Sequence, residues 1–315
     1  MSRYDATRVK NIPSMKILEP HVMKTRDESV AYFRIQLDVT NSLEFLEKYN
    51  ADHNLDKTNR LTFFHIFLTA CTRSFAMYPQ MNRFILGRQF WQRNRIQFSF
   101  LVKKQLKYKA KETVAKIDFD PFDTVDTVRE RIHKYVNKAR SEKGSEADSE
   151  MNFFGKLPRL LLMLGVKIMR LLDFFGIMPK SMIESDPLYT GAMMANLGSI
   201  GLNASLHHIF DWGNMSWCFM VGNYRYVPVA NEKGEVYARK MVDIGTTVDE
   251  RIATGLSYIM GMKTLQRFIE NPEELLTPPK LSRTLLDELA LVDWEILRKT
   301  GKKKPRQYPK EFVID

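Results

Sequence analysis

The sequence contains few cysteines and no segment typical of a secretion signal. Its 315 residues include two cysteines, Cys71 and Cys218, and each lies inside an apolar stretch. Cysteines in such surroundings are usually buried and reduced, so we expect no disulfide framework. The N-terminal segment MSRYDATRVKN has no apolar signal core. These two absences predict a cytoplasmic location.

Signatures of several common functional classes are also missing. The sequence has no glycine-rich phosphate loop, which argues against nucleotide hydrolysis, and no Gly-x-Ser-x-Gly elbow. Apart from one His-His pair the histidines stand singly, and we expect no metal site. Neither zinc-ligand spacing nor the aromatic strand motif of RNA-binding sheets is present, so we expect no nucleic-acid partner.

Positive charge is plentiful, and apolar residues are frequent enough for a globular fold. The formal net charge is +11 and the hydrophobic content is 44%. Such content allows a sizeable core, and the charge favours acidic partners. Part of the charge lies in the tail Arg298–Lys310, which has no acidic residue. A solvated tail is the simplest interpretation, and an anionic partner or membrane surface is the alternative.

Apolar spacing and turn residues predict intermixed strands and helices. We expect strands at Val30–Asp38, Ile96–Lys103, Glu112–Phe119, Gly191–Asn196, Ser216–Gly222 and Tyr237–Thr246, a hairpin over Arg83–Trp91, and helices over Ser42–Tyr49, Leu61–Met77, Asp123–Arg140, Arg251–Glu270 and Leu281–Arg298. The polar segment Ser141–Met151 predicts a disordered loop. We therefore expect one α/β domain over residues 1–280, followed by a C-terminal helix and basic tail over residues 281–315.

The segment Leu157–Phe175 predicts a strongly apolar helix. Lys167, Arg170 and Asp173 interrupt it, so it has no uncharged run long enough to span a membrane. One interpretation is a helix buried on the sheet or at a subunit contact. The other is a helix that lies on a membrane surface or senses an acyl chain.

Three stretches, taken in order, resemble the catalytic core of the dihydrolipoamide acyltransferases of 2-oxo acid dehydrogenase complexes. The first is Pro20-His21-Val22 with the following strand and the Leu61–Asn82 helix that ends YPQMN. The second is Ala195-Asn196-Leu197-Gly198 with the strand that ends at Gly222. The third is Val248–Gly255 (VDERIATG), with a helix and Asn271-Pro272 after it. Together they span about residues 10–280.

The resemblance implies a chloramphenicol acetyltransferase-like fold, in which helices flank a mixed α/β sheet. It also implies a homotrimer with an active site in a tunnel between subunits, entered by coenzyme A or acyl-CoA from one side and by the acyl acceptor from the other. On this basis Asn196, Gly198, Arg251 and Gly255 are candidate substrate- or CoA-binding residues. No stretch resembles a lipoyl domain, so we expect a small-molecule acceptor or a separate acyl carrier.

The family's third motif has a histidine as general base, and the matching position here is Glu250. Histidine suits the task because its ordinary pKa lies near neutral pH, whereas a carboxylate is a weak base unless burial raises its pKa. Thr254 replaces the motif's second aspartate, and Ala195 replaces a serine that stabilises the oxyanion. Such a donor is commonly worth about 3 kcal/mol. Glu250 is therefore either a rearranged base or a structural residue that pairs with Arg251 or another basic side chain.

A second candidate base lies in the loop Leu206–Gly213 (LHHIFDWG). His207, His208 and Asp211 are the residue types of a base and its orienting partner. Trp212 stands between the aspartate and Gly213, which separates the loop from the family's His-His-x-x-x-Asp-Gly motif. A structural loop is the alternative interpretation.

The sequence thus leaves three hypotheses open. The first is a CoA-dependent acyltransferase with a rearranged or weakened site. The second is an inactive relative that binds a ligand or supports an assembly. The third is a role at a membrane surface through the apolar helix and the basic tail.

Overall fold

The computed structural model describes residues 3–103, 112–141 and 158–315. Its main sheet has six strands: β2 (Val30–Asp38), β5 (Ile96–Lys103), β6 (Glu112–Phe119), β7 (Ala192–Asn196), β8 (Trp217–Ala230) and β9 (Val236–Asp249). The order across this sheet is β2-β9-β8-β7-β5-β6. β7 runs parallel to both β5 and β8, and the remaining pairs are antiparallel. The predicted mixed α/β sheet is therefore confirmed.

A smaller antiparallel sheet contains β1 (Ala6–Arg8), β3 (Arg83–Leu86) and β4 (Gln89–Arg93) in the order β1-β4-β3. The last two strands form the predicted hairpin. Its turn residues Gly87 and Arg88 both have positive φ angles of 58°, the geometry that two-residue hairpin turns favour.

The helices follow the apolar patterns in most places. They are α1 (Ser14–Val22), α2 (Thr40–Asp52), α3 (Phe63–Met77), α4 (Val125–Ser141), α5 (Arg159–Phe174), α6 (Lys180–Ser185), α7 (Gly255–Glu270), α8 (Arg283–Leu289) and α9 (Trp294–Thr300). α3 is buried on nearly all sides, as expected for a helix that is apolar all round. Phe67 and Phe75 of this helix pack on Phe219, Phe98 and Trp217 of the sheet.

Two predictions of helix extent are wrong. The helix expected over Leu281–Arg298 is two short helices, because Ala290 adopts a left-handed conformation with φ 52° and Asp293 caps a new helix. The helix expected over Arg251–Glu270 begins at Gly255, after a separate 3₁₀ turn over Glu250–Ile252. Only Ser141 of the predicted loop Ser141–Met151 is described, as the last residue of α4.

The C-terminal segment folds back on the body of the chain. Two residues of β11 (Val313–Ile314) pair with β10 (Leu281–Ser282), Arg306 forms an ion pair with Asp120, and Lys303 donates to the carbonyl of Ala6. Lys303 and Arg306 thus attach the basic tail to the body of the chain, while Arg298, Lys299, Lys302, Lys304 and Lys310 are exposed, as expected for a solvated tail.

The apolar helix α5 stands away from the sheet, so burial on the sheet is ruled out for it. Leu160, Leu164 and Leu171 are exposed, the first to 79%. Only the C-terminal end of α5 is firmly attached: Asp173 accepts from Arg3 Nη1 at 2.7 Å and from the Tyr189 hydroxyl at 2.8 Å. The subunit-contact and membrane-surface interpretations stay open.

Candidate active site

Glu250 lies between two residues, Asp249 and Arg251, that form a buried ion pair with each other. β9 ends at Asp249, whose side chain is 0% exposed, and Arg251 is 2% exposed. Arg251 donates from Nε and Nη2 to the two carboxylate oxygens of Asp249, at 2.8 and 2.7 Å, and from Nη1 to the carbonyl of Met23 at 2.7 Å. Three of the donors of Arg251 are thus engaged within the chain.

Glu250 itself is exposed. Its carbonyl accepts from Lys16 Nζ at 3.3 Å, which ties α1 to the turn. Arg251 pairs with Asp249, so the interpretation of an ion pair between Glu250 and Arg251 is wrong. Among the described residues no other basic side chain forms an ion pair with the Glu250 carboxylate.

Thr254 has a local structural role. Its hydroxyl accepts from the backbone amide of Ser257 at 3.3 Å and so caps the N-terminus of α7. A threonine in this position stabilises a helix by about 1 kcal/mol relative to alanine. Gly255, a candidate CoA-binding residue, is the first residue of that helix and is exposed.

The Asn196–Gly198 segment forms a tight turn after β7. The Asn196 side chain accepts from the Ser199 amide at 3.2 Å, which caps a 3₁₀ turn. A Cβ on Gly198 would lie 2.4 Å from the carbonyl oxygen of Gly222, so only glycine fits. Ala195 pairs with Met220 in the sheet.

The histidine loop crosses β8 and β9 at close range. A Cβ on Gly245 would lie 1.9 Å from the carbonyl oxygen of Ser205, so the glycine is what allows the loop to approach. The Thr247 hydroxyl donates to the carbonyl of His207 at 2.5 Å. The rings of His207 and His208 stack with centroids 4.6 Å apart, and His207 Nδ1 lies 2.8 Å from the His208 carbonyl.

Asp211 is bonded to a different element. Its Oδ1 accepts from the backbone amide of Arg26 at 2.9 Å, and the Arg26 guanidinium donates to the Asp211 carbonyl at 3.2 Å. The structure thus brings Asp211 to Arg26, and no hydrogen bond joins it to His207 or His208 in the described part of the chain.

No pattern in the sequence distinguishes Arg26. It is 3% exposed, and its pKa is lowered mainly by burial, against the attraction of Asp249. A single arginine after a helix gives no sequence signal of this kind, because its burial depends on segments far away in the chain.

Two exposed apolar surfaces flank Glu250, and the sequence patterns did not reveal them. α1, which contacts the Glu250 turn, exposes Met15, Leu18 and Val22. α7, which follows the turn, exposes Leu256 to 71% and also Ile259. Large exposed apolar patches mark interaction surfaces in soluble proteins.

In the ranges that the structure describes, His, Cys, Asp and Glu side chains form no group of three or more that could hold a metal ion. None of the described helices has the length and apolar content needed to cross a bilayer.

The chain has recognisable relatives in fold. Residues 190–277 match the family model for the 2-oxoacid dehydrogenases acyltransferase (catalytic domain). The match includes the Ala195–Gly198 and Asp249–Gly255 stretches. No curated protein sequence matches the chain.

Solved structures agree with the family model. The cubic core of a pyruvate dehydrogenase multienzyme complex is 15% identical, with 85% of this chain and 94% of that chain covered and a TM-score of 0.56. The dihydrolipoamide acetyltransferase of Azotobacter vinelandii is 14% identical, with 85% and 94% covered and a TM-score of 0.55. The fold is that of the dihydrolipoamide acyltransferase catalytic cores.

Chloramphenicol acetyltransferase shares this fold at 10% identity, with 84% of this chain and 99% of that chain covered and a TM-score of 0.50. The resemblance predicted from the three sequence stretches is therefore confirmed, as is the fold class. At these identities the likeness establishes fold, and the roles of Glu250, His207, His208 and Asp211 stay predictions.

Proposed function

We propose that the protein is a CoA-dependent acyltransferase-type protein that handles an acyl-CoA thioester at a site centred on Glu250. One observation carries the proposal. Glu250 is exposed within the Val248–Gly255 motif, between Asp249 and Arg251, which form a buried ion pair with each other. An exposed side chain on a backbone that is held in place is suited to contact a ligand or a second subunit.

The exposed apolar faces on either side of Glu250 support a site between subunits. Met15 and Leu18 of α1 and Leu256 and Ile259 of α7 would be covered by a second copy of the chain. A homotrimer is the assembly that we propose, in line with the resemblance, and a cytoplasmic location accompanies it. The acceptor would be a small molecule or a separate acyl carrier that enters the same tunnel.

In the proposed reaction Glu250 takes the proton from an acceptor thiol or hydroxyl as that atom attacks the thioester carbonyl carbon. The new bond to the acceptor forms, the carbon–sulfur bond to CoA breaks, and CoA leaves as the thiol with a proton returned by the base. A neighbouring subunit that excluded water would strengthen a carboxylate as a base. Ala195 supplies no hydroxyl donor to the oxyanion, so we expect a slow enzyme.

Acyl transfer from a panel of acyl-CoAs, with Glu250→Gln as the variant, tests the proposal. Loss of the base should lower kcat by about 10²–10⁴-fold, and the change is isosteric and at an exposed position. Glu47→Gln, on α2, is the control. Absence of transfer from every acyl-CoA would contradict the enzyme proposal, as would a Glu250→Gln enzyme that is fully active.

The His207-His208 loop is the alternative source of the base. Its backbone is held by Thr247 while both imidazoles remain outside the core. A His207→Ala and His208→Ala double variant that loses activity, beside an active Glu250→Gln, would transfer the role to this loop. If a variant that combined Glu250→Gln, His207→Ala and His208→Ala kept the wild-type rate, neither candidate would be the base.

An inactive relative that binds a ligand or supports assembly is the alternative function. It is favoured by Thr254, which serves as a helix cap, and by Ala195, which offers no donor. Thermal unfolding with CoA separates its two forms, because a ligand that binds only the folded state raises Tm. A rise in Tm without acyl transfer would support ligand binding. If CoA does not raise Tm, only the role in assembly remains.

Helix α5 favours a second role, at an anionic membrane surface. Its exposed residues include Leu160, Leu164 and Ile168 on one side and Arg159 and Arg170 on the other. Helices with this division lie in the headgroup region of bilayers. Each basic residue near an anionic surface adds about 1 kcal/mol of attraction.

Flotation with vesicles of phosphatidylcholine, with and without phosphatidylserine, tests this role. We expect flotation with the anionic vesicles, and its loss on changing Leu160, Leu164 and Ile168 together to serine. Val236→Ser, which changes an exposed apolar residue elsewhere, is the control. A wild-type chain that stays in the soluble fraction with both vesicle types would contradict the membrane role.

A further inference from the structure

A cavity of about 240 Å³ lies beside the Asp249–Arg251 pair, and cations dominate its lining. It is bounded by the chain that follows α1, the β3–β4 turn, the base of α5 and the end of the histidine loop. Five basic side chains line it: Lys24, Arg26, Arg88, Arg170 and Arg251. They come from four separate segments of the sequence, so their convergence is a property of the fold.

Arg26 is the deepest unpaired cation at this cavity. It is 3% exposed, and Nε has no hydrogen-bond partner. Its terminal nitrogens reach only carbonyl oxygens, those of Phe210, Asp211 and Ile85, at 3.2–3.4 Å. No carboxylate forms an ion pair with this guanidinium in the described ranges. The carboxylates that attract it, those of Asp249, Asp173 and Asp211, make no direct contact with it, and because a buried charge without a direct partner is costly, an anion in the cavity would stabilise it.

The rim of the cavity adds further positive charge. Lys24, Arg88 and Arg170 are exposed, and none of their side chains forms an ion pair with another described residue. Arg88 is placed at the rim by its position in the β3–β4 turn, and Arg170 by the anchored end of α5. A concave site with an excess of one sign of charge concentrates ligands of the opposite sign.

The lining also contains two acidic residues, Asp173 and Asp211, both of which attract Arg26. Asp173 is held by Arg3 Nη1 at 2.7 Å and by the Tyr189 hydroxyl at 2.8 Å. Asp211 accepts from the backbone amide of Arg26. The five basic side chains of the lining still outnumber its two carboxylates, one of which is paired with Arg3 outside the lining.

We propose that this cavity is a binding site for a phosphate group. Several arginine side chains around a small space match a doubly charged oxyanion, because guanidinium groups donate paired hydrogen bonds to phosphate oxygens. The phosphate can belong to a free phosphomonoester or to a lipid headgroup, since the cavity lies at the base of α5. The proposal requires no acyl transfer and stands apart from the role of Glu250.

Thermal unfolding of the full chain with inorganic phosphate tests the proposal, with sodium chloride at matched ionic strength as the reference. We expect a saturable rise in Tm. The variant is Arg88→Ala with Arg170→Ala, both exposed, and its apparent affinity should fall at least about tenfold. Lys57→Ala with Lys233→Ala, exposed and outside the cavity lining, is the matched control.

Vesicles distinguish the two sources of the phosphate. Flotation with phosphatidic acid that is lost in Arg88→Ala with Arg170→Ala, and kept with the control pair, assigns the site to a lipid phosphomonoester. A saturable rise in Tm with free phosphate and no such flotation assigns it to a soluble ligand. Two results together would overturn the proposal. The first is a phosphate effect on Tm that does not saturate or that is equal in the variant and control pairs. The second is flotation that Arg88→Ala with Arg170→Ala does not change.

Discussion

The ion pair between Asp249 and Arg251 holds the Glu250 turn in place, and Asp249→Asn breaks it with little change in shape. The carboxylate accepts two hydrogen bonds from the guanidinium, a third from the Arg251 amide at 3.2 Å and a fourth from the Ser29 hydroxyl at 3.2 Å. The asparagine side chain carries no charge, and its NH2 group would face N–H groups of Arg251, so that donor would meet donor.

The size of the effect follows from burial, because both side chains are almost fully removed from solvent. Removing one partner of a buried pair costs about 3–5 kcal/mol, since the other charge stays buried without compensation. A whole domain is usually stable by about 5–15 kcal/mol. Asp249→Asn should therefore remove a large share of the free energy of unfolding and also loosen the turn that presents Glu250.

Urea unfolding at fixed protomer concentration measures this loss. Glu295→Gln, which breaks an exposed pair with Lys299 at 3.7 Å, is the control and should change stability little. Replacing both residues, as Asp249→Leu with Arg251→Met, should recover part of the loss because no charge is then left buried. A loss below about 1 kcal/mol in Asp249→Asn would refute the structural role assigned to the pair.

Two further predictions concern stability. Burial, with repulsion from His133, lowers the pKa of His65 to about 3. In the unfolded chain this histidine takes up a proton below about pH 6.5, so the free energy of unfolding should fall as the pH drops from there. The loss from this one group should be about 2 kcal/mol at pH 5. Between about pH 7.5 and about pH 5, the free energy of unfolding of His65→Gln should therefore fall by about 2 kcal/mol less than that of the wild type. Equal losses in the two proteins would contradict the assignment. Gly245→Ala should displace the backbone at Ser205 and destabilise the fold by about 1–3 kcal/mol or more. Gly165→Ala, with nothing within 4 Å of the added Cβ, should be neutral or stabilising by about 0.5–1 kcal/mol. Thermal unfolding compares the two variants, and equal effects would refute the close approach of the loop to Gly245.

Much of the framework was predictable because local patterns specify it. The apolar spacing of Leu61–Met77 gave the buried α3, and the glycine within Arg83–Trp91 gave the β3–β4 hairpin. The outer half of β8 was not predicted, although the strand expected at Tyr237–Thr246 covers nearly all of its partner in β9. Residues Tyr226–Ala230 pair with Val236–Lys240 beyond the core, where charged and apolar residues mix without a buried face to impose a pattern.

Other features depend on contacts that a sequence does not display. Nothing in Leu289-Ala290-Leu291 signals a left-handed residue, because both leucines pack in the core on either side of it. The motif marked the segment that carries Glu250, but the ion pair between Asp249 and Arg251 was not predicted. The Arg26 cavity was not predicted either, since it requires segments that are distant in the chain to meet.

A crystal structure of the protein with CoA bound tests the central claim most directly. We predict that the CoA sulfur lies between two copies of the chain, within about 3–3.5 Å of the Glu250 carboxylate. A sulfur that faces His207 or His208 would move the base to the loop. CoA bound away from Glu250, or a Glu250 that stays in solvent in the assembled protein, would contradict the account.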